Sequence, residues 1–293
     1  MLSADEARQL DGLRFGPGPA SPSAAPSSAS RVARTRGLGT ELHDFRRYQA
    51  GDDPRSIEWT IYQRLGQLVT RTYRADAHLR VHLMVDISRS MSMGSPDKLT
   101  CATRLAALLA YVAIGGRDAV GVVTFDGRIA QRVGPGSGRG QLFRALGALA
   151  GASVGGPSAI GRVLVDFGSV SRGPGLVVVL SDFFDPAGVI DGLRYLLHRR
   201  FTPAVVQILS PEELNPLMTG DAELVDIEAP DAASLFVDEE TVTGYHTQLI
   251  AYRALLAGFC TTHGLPWMPI GSSDSFAELL RACHRAGVLA GQG

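Results

Sequence analysis

Lysine is almost missing from this chain. Of 28 basic residues only Lys98 is one, and the rest are arginine. Alongside abundant alanine and glycine, that scarcity reads as the coding bias of a GC-rich genome and not as a device. Cysteine is scarce too. Cys101, Cys260 and Cys283 lie far apart, are odd in number and form no C-x-x-C pair, so they read as reduced, packed thiols. Charge of one sign is lacking: a net charge of −1 argues against nucleic acid or an acidic membrane as a general partner. The longest apolar stretch, around Leu105 to Ile114, falls short of the roughly 20 residues of a membrane span. The opening MLSADEARQL has no signal-peptide core. The expected compartment is the cytoplasm.

Common catalytic signatures are absent as well. Lys98 follows no G-x-x-x-x-G, so there is no Walker A loop, and there is no G-x-S-x-G elbow. The seven histidines show no H-E-x-x-H spacing and read as surface or packed side chains.

What is present divides into three stretches. Residues 1–30, with GPGPASPSAAPSSAS at their end, read as a disordered tail or linker. Residues 31–77 form a charged, partly β subdomain. Within it, Arg46, Arg47 and Arg55 lie near Asp52, Asp53 and Glu58, which predicts a self-neutralising network around a buried Tyr48 and Trp59. Residues 78–290 alternate between two periods. Apolar runs at Val81–Val85, Val120–Phe125, Leu176–Leu180, Ala204–Leu209 and Pro266–Ile270 predict strands, most of them covered on both faces. Between them, stripes such as Leu105, Leu108, Leu109, Val112 and Ile160, Val163, Leu164, Phe167 predict helices. The alternation predicts an α/β fold, a doubly wound, mainly parallel sheet with an N-terminal, partly β subdomain.

Such sheets bind ligands outside the carboxyl ends of their strands. Asp86, in LMVDISRSMS, ends the first strand and is followed by Ser88 and Ser90; Asp182, in VVVLSDFFD, ends the third. Ser158, in GGPSAIG, opens a helix. Capping of the following helices is the plain alternative for these groups. Converging oxygens without imidazole or thiolate favour Mg²⁺ or Mn²⁺. Only two carboxylates contribute, and with one of them acting through water the ion keeps residual positive charge and an open position for an acidic side chain from a partner protein. The ion is expected to be held weakly without that partner, and Asp86 is expected to face solvent.

The set Asp86-x-Ser88-x-Ser90, Ser158 and Asp182 resembles the metal-ion-dependent adhesion site of von Willebrand factor A domains. Ser158 stands where that family has threonine, and Ala159 where it has a polar residue. More widely, GTELHDFRRYQAGDDPRSIEWTIYQRLGQLVTRTYRAD followed by LMVDISRSM resembles the bacterial family called domain of unknown function 58, over roughly residues 37 to 285. Glu58 and Gln63 depart from that family's usual Asp and Ala. The resemblance implies a von Willebrand factor A-like domain that binds protein and does not catalyse. It also implies a MoxR-type AAA+ ATPase, or its client, as partner in assembly, remodelling or metal insertion. The enzymatic alternative is a haloacid-dehalogenase-like phosphotransferase with Asp86 as nucleophile and Asp182 and Asp185 holding Mg²⁺. That chemistry needs an aspartate where Ser88 stands, and a lysine between the acidic sites, for which Lys98 follows Asp86 too closely.

Overall fold

A computed structural model describes residues 3–16, 41–48, 57–74, 78–184, 188–216, 222–224, 235–237 and 239–291. It begins with order where a tail was expected. Helix α1 (Ala4–Leu10) opens on a capping box between Ser3 and Glu6 and leads to β1 (Arg14–Phe15). Leu10 and Phe15 are buried in the main core, and Glu6 forms an ion pair with Arg104. The expectation of a disordered stretch from residue 1 therefore fails for residues 3–16. Its physical cause is the pair of large apolar side chains, which composition across the whole stretch conceals.

The chain forms two compact units, one spanning Ser30–His78. In that unit β2 (Glu41–Arg47) pairs antiparallel with β3 (Val69–Arg74), and α2 (Trp59–Leu65) lies between them in sequence. Trp59, expected to be buried, is 54% exposed, and Tyr48 is only half-buried. A two-stranded ribbon and a two-turn helix enclose little volume, and among the described residues of this unit Ile57 and Val69 are the buried apolar side chains. Arg55, Asp52 and Asp53 of the expected charge network lie outside the described residues.

The larger unit is built on six strands. In chain order these are β4 (Arg80–Asp86), β5 (Ala119–Phe125), β6 (Ile129–Gly136), β7 (Gly175–Ser181), β8 (Phe201–Leu209) and, after the short β9 (Ala222–Leu224) and β10 (Leu235–Val237), β11 (Trp267–Gly271). Their order across the sheet is β11-β8-β7-β4-β5-β6, all parallel except β6, which runs antiparallel to β5 at the edge. The five expected strands are present. The sixth escaped because Ile129–Gly136 carries Gly, Pro and Arg with little buried apolar content. A two-residue β12 (Leu289–Ala290) pairs with β1.

Helices cover both faces. On one side lie α3 (Lys98–Gly115), α4 (Arg139–Ala150) and α9 (Phe276–Arg285), packed on Val81, Leu83, Val85, Val178 and Leu180. On the other lie α5 (Ile160–Val170), α6 (Val189–His198) and α8 (Glu239–His263), packed on Met84, Val123, Val177 and Val179. Alternate residues of one strand thus feed two separate cores, as the two-residue period of a strand requires. α3 is long and apolar enough to cross a membrane by length and composition, and most of it is buried in the first core. All three cysteines are free and buried, as expected. A short helix α7 (Pro211–Leu214) follows β8 directly.

This topology creates a switch point. The connection leaving β4 carries the chain through α3 to β5 on one side, while the later β7 pairs with the other edge of β4. The loops leaving β4 and β7 therefore part from each other at the carboxyl rim, where such sheets bind their ligands.

Candidate metal centre at the sheet rim

Asp86 and Asp182 emerge at this switch point. Val85 pairs with Leu180 in parallel register, so Asp86 and Ser181 come next on adjacent strands. The Ser181 hydroxyl donates to Asp86 Oδ2 at 2.6 Å and accepts the Phe183 N–H at 2.9 Å. Phe183 itself is fully buried with φ of 60°, a left-handed conformation that costs a bulky residue about 1–2 kcal/mol. That turn carries the chain sharply away from β7, immediately after Asp182.

The loop after β4 is not used for capping. Asp97 caps α3, accepting the Thr100 N–H at 2.7 Å. Asp86 Oδ1 instead accepts the Ser88 N–H at 2.8 Å, and the Ser88 and Ser90 hydroxyls lie 3.2 Å apart. Ser88 precedes the 3-10 turn Arg89–Ser92 without a side-chain capping bond. The capping alternative thus loses its donors, and the three side chains are gathered into one oxygen-lined loop.

Ser158 is brought close through its backbone neighbours. The Gly155 N–H donates to Ile87 O at 2.6 Å, and the Arg89 N–H donates to Gly156 O at 3.1 Å. Asp126 fixes the same loop by accepting the Gly156 N–H at 2.9 Å. A β-carbon on Gly155 would stand 2.5 Å from an Asp126 carboxylate oxygen, so only glycine allows this stitching. The N-cap of α5 is Ala159, without a side-chain bond, and Ser158 stands one residue outside the helix.

Asp182 has a companion that sequence reading placed elsewhere. The Lys98 ammonium donates to Asp182 Oδ2 at 2.6 Å and also bonds Glu213. The lysine side chain is fully enclosed, and it lies 5.1 Å from the ring centroid of the part-exposed Phe184. The sequence expectation, that Lys98 follows Asp86 too closely to serve the acidic sites, fails here. Twelve residues along the chain, however, span a loop and place it at the first turn of α3, pointing back over the rim. A signal was available: in a chain that uses arginine everywhere else, the one lysine marks a place for a compact point charge instead of a planar fork. Glu213 was also missed, because Ser210-Pro211-Glu212-Glu213 reads as a capping box, which it forms. It lies just past the end of β8, on the same rim.

Asp86 and Asp182 are 0% and 1% exposed, which corrects the expectation of a solvent-facing Asp86. Burial and then the negative charge of Asp182 push the Asp86 carboxyl up to about 7, against the pull of its bonds from Ser181 and Ser88. Burial also raises Glu213, with the Lys98 charge pulling it back. The three carboxylates and one ammonium carry a formal charge of −2. Asp86 is bonded by the Ser181 hydroxyl and by the backbone and side chain of Ser88, and Asp182 by the Lys98 ammonium and the Phe184 N–H. Among the described residues no three His, Cys, Asp or Glu side chains gather into a metal-binding group. The donor chemistry here is two carboxylates with hydroxyls, which fits a hard divalent cation and no softer metal. Asp86, Ser88 and Ser90 would hold it directly, with Ser158 and Asp182 beside them.

The chain is 27% identical over 263 residues to "Uncharacterized protein Rv1480" of Mycobacterium tuberculosis, covering 87% of this chain and 83% of that one. The same values hold for "Uncharacterized protein Mb1516" of Mycobacterium bovis. Among solved structures it is similar to the conserved hypothetical protein BatB from Bacteroides thetaiotaomicron, at 16% identity and a TM-score of 0.42, over 70% of this chain and 99% of that one. It is also similar to the SpRpn10 VWA domain, at 10% identity and a TM-score of 0.40, over 74% and 98% of the two chains. These are likenesses of fold. Residues 44–254 match the family described as "Protein of unknown function DUF58", and the chain belongs to that family.

Proposed function

We propose that the sheet rim binds a partner protein through a divalent ion, Mg²⁺ or Mn²⁺, and carries out no catalysis. The observation that supports this reading best is the imbalance at Asp86. A fully buried carboxylate faces a second one, and the groups bonded to it, the Ser181 and Ser88 hydroxyls and the Ser88 amide, carry no charge. Burying a charge without a compensating cation is costly, and a divalent ion among Asp86, Ser88 and Ser90 supplies the compensation. Ser158 is half-buried, and on its side an acidic side chain of the partner completes the coordination. Exposed Phe184 and Met93 flank the same loops and offer apolar contact area.

By family resemblance the partner is a MoxR-type AAA+ ATPase or its client, and the work is assembly, remodelling or metal insertion in the cytoplasm. The phosphotransferase alternative gains a lysine at the acidic site. Yet that lysine bonds Asp182 and Glu213 and not Asp86, and Ser88 still stands where that chemistry needs a second aspartate. Affinity capture of the ATPase with Mg²⁺ and with EDTA tests the proposal. Wild type should capture only with Mg²⁺, and Asp86→Asn under neither condition. Equal capture in EDTA, or phosphatase turnover abolished by Asp86→Asn, would overturn it.

A further inference from the structure

Lys98 has more partners than its charge requires. One ammonium stands between two carboxylates, Asp182 and Glu213, in a place sealed from water. Glu213 is positioned without Lys98. Its other oxygen accepts the Ser210 N–H at 2.7 Å in the capping box of α7, and its main-chain oxygen accepts the Tyr245 hydroxyl of α8 at 2.9 Å. Lys98 is placed independently as well, at the first turn of α3 behind the Asp97 cap, with its own N–H donating to Met93 O at 3.1 Å. Either carboxylate alone would neutralise the ammonium.

The charges of the cluster divide without remainder between the two carboxylates that end neighbouring strands and the pair Lys98 and Glu213. Lys98 and Glu213 make a neutral pair, and one divalent ion neutralises Asp86 and Asp182. We propose that Lys98 is a tethered cation that competes with the divalent ion for Asp182. Without the ion the ammonium is shared between Asp182 and Glu213; with the ion bound it rests on Glu213 alone. This inference rests on the metal reading of the rim given above.

Two consequences follow from the bonding. The rim's own affinity for an ion is held down, because binding must break a buried, charge-assisted hydrogen bond of the strong kind. The displaced ammonium then bears on Glu213, so occupancy of the rim is felt by α7 and, through Tyr245, by α8. Lysine suits this role better than arginine. Its compact head and flexible stem can pass between two acceptors, where a rigid fork would hold one of them bidentately.

The test is calorimetric titration with Mn²⁺ of wild type, the double variant Lys98→Met/Glu213→Gln, and Glu213→Gln alone, each first shown to be folded by a cooperative melt in EDTA. The double variant keeps the formal charge of the cluster at −2 while freeing Asp182 from the ammonium, so competition and net charge are separated. It should bind Mn²⁺ at least tenfold more tightly than wild type. Glu213→Gln alone leaves the ammonium only Asp182 and should bind more weakly than wild type. If wild type binds and the folded double variant binds equally or less tightly, competition is overturned while the metal reading stands. If neither binds Mn²⁺, both are overturned. Tighter binding by the double variant than by wild type, with weaker binding by Glu213→Gln, supports the tethered cation.

Discussion

Asp86 and Asp182 end neighbouring parallel strands, and both are essentially sealed from solvent, yet they are provided for differently. Asp182 receives an ammonium on one oxygen and the Phe184 N–H on the other. Asp86 receives only uncharged groups from Ser181 and Ser88, their hydroxyls and the Ser88 amide. Hydrogen bonds to a carboxylate lower the cost of its burial, whereas a counter-charge in the same low-dielectric space cancels most of it. One half of the rim therefore holds a cation of its own, shared with Glu213. The other is short of positive charge, and the molecule's structural economy elsewhere, with its two well-filled cores, makes that shortage informative.

The comparison breaks most visibly if the ammonium is removed. Lys98→Met strands two buried carboxylates, and losing one member of such a group costs about 3–5 kcal/mol. Urea unfolding in EDTA should show a loss of that size. A loss under about 1 kcal/mol would mean that Asp182 and Glu213 are better solvated than their burial implies. A third buried group sharpens the contrast. His82 lies on β4, four residues before Asp86, enclosed by the rings of Phe167 and Phe201 at centroid distances of 5.1 and 5.9 Å. Burial, helped by the charges of Arg132 and Arg80, pushes its imidazole down to about 4. The unfolded imidazole takes up a proton near 6.5 and the folded one does not, so stability is full above that value and is lost as the pH falls from 6.5 towards 4. Between pH 7 and pH 5 the wild type should lose about 2 kcal/mol more than His82→Phe. Parallel losses in the two proteins would show that His82 protonates in the folded state.

Much of this was legible in the sequence, for definite reasons. Five of six sheet strands announced themselves because a doubly covered parallel strand has to be apolar along its length. Asp86 and Asp182 stood out because a charge at the end of such a run has no packing role. The residues that escaped were those whose local pattern already had a sufficient explanation. Glu213 satisfied a capping box, Lys98 opened a helix, and Ile129–Gly136 read as a loop because an edge strand needs little apolar content. Their roles depend on what the fold brings beside them from 84 and 115 residues away, which no local window contains. Trp59 erred in the opposite direction. Its size suggested a core, but it stands on a two-turn helix with 54% of its surface exposed.

The most direct measurement is thermal melting at pH 7.5 of wild type, Asp86→Asn and Asp182→Asn, in EDTA and in excess Mn²⁺. In EDTA, removing the charge of Asp86 relieves repulsion from Asp182, whereas removing that of Asp182 takes a partner from Lys98. The two substitutions should therefore shift stability in opposite directions, upward for Asp86→Asn and downward for Asp182→Asn, each by an amount on the order of 1 kcal/mol. Mn²⁺ should raise the wild-type melting temperature and leave that of Asp86→Asn unchanged. Shifts of the same sign in EDTA, or equal stabilisation of wild type and Asp86→Asn by Mn²⁺, would contradict the division of the rim into a half with its own cation and a half that awaits one.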